Sequence, residues 1–545
     1  MTGLSDSEVV KLLPLLIGRG RAKPNDVSAF RPSQVGIVES ASAERHVIVT
    51  GRRGVGKSML LLSVQQRAED EGRSVTYIDI ETLRDNPYPD VLIRILIAIA
   101  ENLSAQLPKR FGRQRKARAK LETLRKRLAD LLTEPQLTED TLIQTERIAT
   151  QSSISGGAGF SASGPELMGT PSVSADVSGG RSHESQREER KIATYPKTKM
   201  QTLRASAPDF REALGDALKA HSGKAAMLVL DDFHYVPAED QPDVLTYLQQ
   251  IIKNLDIWLK IAGVEHRLRT FADGDPPRGL QQGQDAGVIE IGLSLESFES
   301  TQQFLEGILR GICDEVDIEI DRLVTDGART RLTLASGGVP RDYLHLTQLA
   351  LNRATLREDS PQRPRGRINA EDVNDVASVL RQQKEDDLSV DAGHAEGPLR
   401  ERLRDLVAFC IEGVGSNVFS VEATLLEEEE WGQEIKALTD LRFVHRIGNF
   451  TIKSSSPDYP GVRYQGFTLD LSTYADRRVT RGLDDIEFWT TAGGQQIRGA
   501  RLIYKPNGEP TPETEPAGVD QMHLNGISPQ GTRKRNDQPS DDVIR

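Results

Sequence analysis

Uninterrupted apolar runs and helically spaced apolar residues take turns along the first part of this chain. Val47 to Thr50, following His46, is apolar or β-branched throughout, the pattern of a strand covered on both faces. Ala225–Asp231, Trp258–Val264 and Val288–Leu293 give further strands, and Arg73–Ile80 alternates well enough for another. Helical patterns lie between them, after Lys57, from Asp90 past Ala100, over Pro208–His221 and over Pro242–Asn254. Strands separated by helices predict a parallel α/β sheet. From Ser297 the pattern is helical, with one stripe at Phe304, Leu305, Ile308 and Leu309 and another starting at Leu332 and Leu334. Asn369 is placed to cap a further helix.

The region after residue 398 mixes both periods. Leu399–Ile411 and Glu430–Leu441 read as helices, and Asn417–Val421 as a short strand. Phe443–Ile447 and Phe450–Ile452 read as a hairpin across Gly448-Asn449, followed by strand-like runs at Tyr464–Leu469, Ile486–Trp489 and Ile497–Tyr504. Helices followed by a hairpin resemble a winged helix, which implies a winged-helix-like α+β C-terminal domain. The wing, with Arg442, His445 and Arg446, is its best basic surface, because Glu427–Glu430 opens the helix that would enter a DNA groove.

Composition then sets the boundaries. Residues 1–33 form an N-terminal segment, helical over Ser7–Ile17 and then basic through Arg19, Arg21, Lys23 and Arg31. Residues 34–295 form the α/β core. It carries a basic helical hairpin at 104–149 and a Ser/Gly-rich disordered insertion at 150–190. A helical lid covers 296–382, an acidic linker 383–398, the winged-helix-like region 399–505 and a disordered tail 506–545.

The 545 residues carry a formal net charge of −12, so any nucleic-acid contact requires a local basic patch. One candidate is the run Lys109, Arg110, Arg113, Arg115, Lys116, Arg118, Lys120, Arg125, Lys126 and Arg127, opposed only by Glu122. Leu121, Leu124, Leu128 and Leu131 give it an apolar seam. Two readings stay open for it, a solvated helical hairpin and an arm that touches nucleic acid. Cys313 and Cys410 have no metal-ligand spacing and read as buried thiols. The run Val91–Ala100 is too short to cross a bilayer and contains Arg94, and no signal peptide opens the chain, so a cytoplasmic protein without membrane contact is expected.

The chemistry centres on Gly51-Arg52-Arg53-Gly54-Val55-Gly56-Lys57-Ser58-Met59, a G-x-x-x-x-G-K-S loop between a strand and a helix. Its glycines allow successive N–H groups to point at an anion on a helix N-terminus. Lys57 would reach the β- and γ-phosphates, and the Ser58 hydroxyl would ligate Mg²⁺. The buried strand ending in Asp231-Asp232 supplies the partner motif, Asp231 for the metal shell and Asp232 to polarise an attacking water. Glu265 and His266, at the next strand end, are candidates to sense the γ-phosphate. Arg267 and Arg269 are candidate arginine fingers.

These motifs, followed by Gly337-Gly338-Val339-Pro340-Arg341 in a helical lid, resemble the AAA+ and STAND ATPases. Within these the chain is most similar to the origin-recognition-type initiators and their prokaryotic relatives. The resemblance spans roughly residues 34–380. It implies a P-loop NTPase parallel sheet with a helical lid, ATP and Mg²⁺ as ligands, and Arg341 as the lid arginine on the phosphates. It also implies a switch that couples nucleotide state to self-association or to a protein partner, in bacterial DNA transactions or defence. Asp232 departs from the usual Glu and is one methylene shorter, which implies slow hydrolysis. Two alternatives remain, a DNA-binding initiator or loader and a non-hydrolysing ATP-stabilised scaffold.

Overall fold

A computed structural model describes residues 7–108, 112–133, 177–221, 224–358, 366–392, 396–451, 462–475 and 483–506, with the backbone alone for 7–8, 177–198, 358, 383, 387, 389–392 and 500. Its central sheet consists of β1 (His46–Thr50), β2 (Val75–Asp79), β3 (Ala226–Asp231), β4 (Ile257–Gly263) and β5 (Ala286–Glu290), all parallel, in the order β2-β3-β4-β1-β5. The side-chain alternation of a strand divides these runs between two cores. Val47, Val49, Met227, Val229 and Ala262 face one side, with Leu60, Leu61 and Val64 of helix α3 (Lys57–Asp70). Ile48, Leu228, Leu230, Leu259 and Ile261 face the other. Each buried aliphatic side chain contributes about 1.5–3 kcal/mol. The layered burial holds β1 rigidly, and β1 carries the glycine loop at its C-terminal end.

The second face is covered by α4 (Asp90–Gln106), α5 (Gly112–Thr133), α6 (Val177–His221) and α7 (Gln241–Ile252). Leu121, Leu124, Leu128 and Leu131 of α5 are buried there, so the leucine seam of the basic run packs inward, and residues 134–149 of the expected hairpin lie outside the described residues. Asp90 is the first residue of α4, and it pairs with the buried Lys199 at 2.9 Å. The expected insertion 150–190 is corrected in part: α6 begins at Val177, while residues 150–176 lie outside the described residues. Once the packed segment Leu203–Ala217 fixes a helix, extending it adds a hydrogen bond per residue without a new nucleus.

The lid comprises α8 (Phe298–Asp314), α9 (Asp326–Ser336), α10 (Pro340–Glu358) and α11 (Ala370–Ala392). Asn369 and Asp372 exchange backbone-to-side-chain hydrogen bonds at 2.9 Å, a reciprocal cap on α11. The expected linker at 383–398 is overturned over 383–392, where α11 continues. Buried Leu388 and the Lys384–Asp470 ion pair at 2.7 Å anchor that turn. The N-terminal helix also joins the lid, with Leu12 and Leu16 in the same apolar core as Leu305, Tyr343, Phe419 and Phe467.

The C-terminal region is α+β: α12 (Glu396–Val407), β6 (Val418–Glu422), α13 (Ala423–Glu428), α14 (Glu430–Asp440), β7 (Val444–Thr451) and β8 (Arg463–Leu469). Its antiparallel sheet has the order β6-β8-β7. The expected turn at Gly448-Asn449 is a β-bulge inside β7. Gly466 pairs with Gly448 and Phe467 with Arg446, which leaves Ile447 as the extra residue and Gly448 at φ 125°. The expected strands at Ile486–Trp489 and Ile497–Tyr504 are absent among the described residues. A short helix, Thr491–Gln496, lies between them, and Trp489 stacks on Phe298 at 4.3 Å. Residues 507–545 of the tail lie outside the described residues.

His445 is buried between the lid and Asp470, with Nε2 2.8 Å from the carboxylate. Burial lowers its pKa below the ordinary 6.5, so the folded chain holds it neutral while the unfolded chain protonates it. The unfolded state then binds more protons below about pH 6.5, and stability falls as pH drops. Thermal unfolding from pH 7.5 to 5.5 should show this loss, with a shallower slope in His445→Asn.

Candidate functional site

Strand β1 ends between β4 and β5, with Thr50 in register with Gly263 and Glu290. The chain then turns through Gly51 (φ 152°), Gly54 (φ 85°) and Gly56 (φ 102°), the last being the N-cap of α3. At Gly51 a Cβ would lie 2.4 Å from the Ile291 carbonyl oxygen, so the close approach excludes any side chain. Lys57 is buried, and its Nζ donates to the carbonyls of Gly51 and Arg52 at 3.0 Å each. Burial lowers its pKa to about 8, against the pull of Asp232 and Asp231. Arg53, Gly54, Val55, Gly56, Lys57, Ser58 and Met59 line a cavity of about 1370 Å³. Phe30 and Arg31 of the N-terminal segment, Asp232 and His234, and Arg341 of the lid line it as well.

Strand pairing brings two acidic strand ends together, with Asp79 in register with Asp231. Asp231 is 4% exposed, and both its carboxylate oxygens are occupied. Oδ2 accepts from the Tyr77 hydroxyl at 2.5 Å and Oδ1 from the Asp232 N–H at 2.9 Å. Asp232 sits at φ 51°, a left-handed conformation that costs a non-glycine residue on the order of 1 kcal/mol. Burial first, and the charge of Asp231 second, push its carboxyl up to about 6. One oxygen each from Asp79, Glu81 and Asp232 lie within 4.8 Å of one another. Sequence reasoning missed Asp79 and Glu81. Asp79 ends an apolar run as Asp231 does, but only the pairing of β2 with β3 makes them neighbours.

His234 was also missed. Its side chain is 5% exposed, and Nδ1 has no hydrogen-bond partner among the described residues; it lies 3.8 Å from Asp232 Oδ1. Burial, then the nearby Arg267 and Lys57, lower its pKa to about 3 and keep the ring neutral. Of the strand-end candidates, His266 pairs through Nδ1 with Asp440, the last residue of α14. The Arg267 guanidinium lies over the Tyr235 ring, 5.8 Å from its centre. Glu265 and Arg269 are exposed.

The loop is joined to the lid at two points. The Arg52 guanidinium donates to the Leu293 carbonyl at 3.0 Å and to the Gly337 carbonyl at 2.8 Å. A Cβ on Gly54 would meet Val339 Cγ1 at 2.9 Å and Arg341 Nε at 3.1 Å, so the lid presses on the loop where only hydrogen fits. Next to Arg341, Asp342 pairs with Arg442 of the C-terminal region at 2.5 Å. Burial acts to raise the Asp342 carboxyl, yet Arg442 and Arg341 hold it below the usual range.

The expected basic wing surface is therefore corrected. Arg442 is buried on Asp342, His445 is buried on Asp470, and Arg446 pairs with Glu296 at 3.3 Å. Arg442 neutralises the buried Asp342, while His445, held neutral by burial, hydrogen-bonds the buried Asp470. Much of the basic run on α5 is likewise matched. Lys120 meets Glu212 and Asp216, Arg127 meets Asp209, Arg125 meets Glu101 and Glu122, and Arg118 donates to the carbonyls of Ser104 and Leu107. Lys109 and Arg110 lie outside the described residues.

Residues 35–256 match the family described as AAA ATPase domain. Comparison with curated proteins finds no match. Among solved structures the chain is similar to Cdc6p from Pyrobaculum aerophilum, at 13% identity over 84% of this chain and 93% of that one, with a TM-score of 0.30. It is also similar to the Thermotoga maritima RuvB Holliday junction branch migration motor, at 12% identity over 71% and 76% of the two chains, with a TM-score of 0.26. Among the described residues, no helix is long and apolar enough to cross a membrane.

The lowered pKa of Lys57 has a measurable consequence. A polyphosphate draws the proton back onto Nζ, so binding above pH 8 takes up a proton and weakens as pH rises. The Kd for a nucleoside triphosphate should increase from pH 8 toward pH 10, by up to about tenfold per unit. Lys57→Arg, charged throughout, should flatten that profile.

Proposed function

We propose, from the premise that residues 35–256 are an AAA ATPase domain, that this chain binds ATP with Mg²⁺, hydrolyses it, and uses its nucleotide state as a molecular switch. The N–H groups of Gly51–Met59 would cradle the phosphates at the start of α3. Lys57 would leave the Gly51 and Arg52 carbonyls for the β- and γ-phosphates. Ser58 and Asp231 would hold Mg²⁺ through oxygen donors, the kind that suits it, with Asp79 in register beside Asp231 and an oxygen of Glu81 near that of Asp79. Bound there, Mg²⁺ would neutralise charge on the phosphate oxygens. Asp232 would accept the proton of the attacking water, and Arg341 would approach the γ-phosphate from the lid.

The observation that carries the switch reading is the line of contact from Gly54 to Arg341, Asp342 and Arg442. A change at the phosphates reaches the lid at Arg341 and, through Asp342, the α+β region, which we read as a winged helix. Nucleotide state would thereby set which surface is free for self-association or for a protein partner. The internal partners of Arg442 and Arg446, and of Arg118, Lys120, Arg125 and Arg127 on α5, favour this reading over a DNA-bound loader.

ATP turnover separates the alternatives. Lys57→Ala should lose ATP binding, and Asp232→Ala should bind ATP but turn over about 10²–10⁴-fold more slowly. Arg341→Ala should lower turnover and break the link between ATP and self-association, read by light scattering. Wild type no faster than Lys57→Ala leaves only the scaffold. Duplex-DNA binding that strengthens with ATP and falls steeply with salt would favour the loader instead.

A further inference from the structure

His234 occupies a position that the ATPase assignment leaves unexplained. A buried ring nitrogen without a partner is uncommon, because its desolvation goes uncompensated. Here the ring is held firmly. It belongs to the tight turn Phe233–Tyr235, closed by the Tyr235 N–H donating to the Asp232 carbonyl at 3.0 Å. Phe233 anchors that turn in the core, and the imidazole packs on the Tyr235 ring with centres 4.6 Å apart. Nδ1 lies 3.8 Å from Asp232 Oδ1, on the wall of the cavity that holds Lys57. That separation is too long for a direct hydrogen bond and short enough for one water to touch both atoms. The neutral ring can accept from or donate to that water without a charge of its own.

We propose that His234 is a further catalytic residue of hydrolysis, its Nδ1 and Asp232 Oδ1 together holding the attacking water. The inference rests on the role given to Asp232 above. It accounts for the short acid at that position: the carboxylate of Asp232 need not fix the water alone, because the imidazole supplies the second contact. In the step itself the water oxygen bonds to the γ-phosphorus. The bond from the γ-phosphorus to the β–γ bridging oxygen breaks, its electron pair leaving with ADP, and the water proton passes to the Asp232 carboxylate.

The test compares His234→Ala, His234→Asn and His234→Gln with wild type and Lys57→Ala, measuring kcat, ATP Kd and Tm for each full-length chain. An asparagine amide places a polar atom near the position of Nδ1, whereas a glutamine amide places it near Nε2. His234→Ala should lower kcat about tenfold or more with ATP Kd within about twofold of wild type. His234→Asn should recover most of the loss, and His234→Gln should not. If His234→Ala fails to fold, seen in Tm, the Asn and Gln variants decide alone. Equal recovery by Asn and Gln, or a loss confined to Kd, overturns the inference. An active wild type with unimpaired His234→Ala overturns it and leaves the ATPase reading standing. Wild type no faster than Lys57→Ala overturns both.

Discussion

The structure depends on the contact between the loop Gly51–Gly56 and the lid. Arg52 bonds two carbonyls, Leu293 where the chain leaves the sheet and Gly337 where α9 ends, so one guanidinium spans the joint between core and lid. Gly337 is in the left-handed conformation, and a Cβ there would lie 2.1 Å from the His445 ring. The same few residues therefore fit the loop, the lid and the C-terminal sheet against one another. Dense packing of this kind transmits a shift rather than absorbing it.

Charge around the loop is arranged with comparable economy. Lys57 is buried beside Asp231 and Asp232, and each side moderates the cost of burying the other. Asp231 is already bonded through both oxygens, whereas Asp232 is half-open on a left-handed turn, with its carboxyl pushed up to about 6. Two adjacent aspartates thus have different environments, one fixed and one available, which is how neighbouring carboxylates acquire different tasks.

The lid and the α+β region share one apolar core that also takes in Leu12 and Leu16 of the N-terminal helix. The buried pairs Asp342–Arg442 and Lys384–Asp470–His445 lie across that junction. Removing one partner of such a pair strands a charge in a low-dielectric interior, so these pairs specify a single docking geometry more than they add stability. They also keep Arg442 and Lys384 off the exposed surface.

The sequence by itself determined the parallel sheet, the glycine loop and the paired acids. Those signals are local: a strand buried on both faces must be continuously apolar, and a phosphate loop needs glycine at fixed spacing. It determined the helical lid for the same reason, since apolar stripes at helical period are read within a single turn. Tertiary structure alone decided what faces what. Gly448 reads as a turn beside Asn449 but becomes a bulge, because β8 offers a partner on both sides of it. Residues 383–392 read as an acidic linker but continue α11, because Asp470, far along the chain, meets Lys384. Asp79 and Glu81 join Asp232, and Nδ1 of His234 faces the same carboxylate, only once β2 and β3 lie side by side and the turn after β3 closes. Local pattern encodes which elements form; the long-range pairing of charges and strands, absent from any window of sequence, sets the geometry of the site.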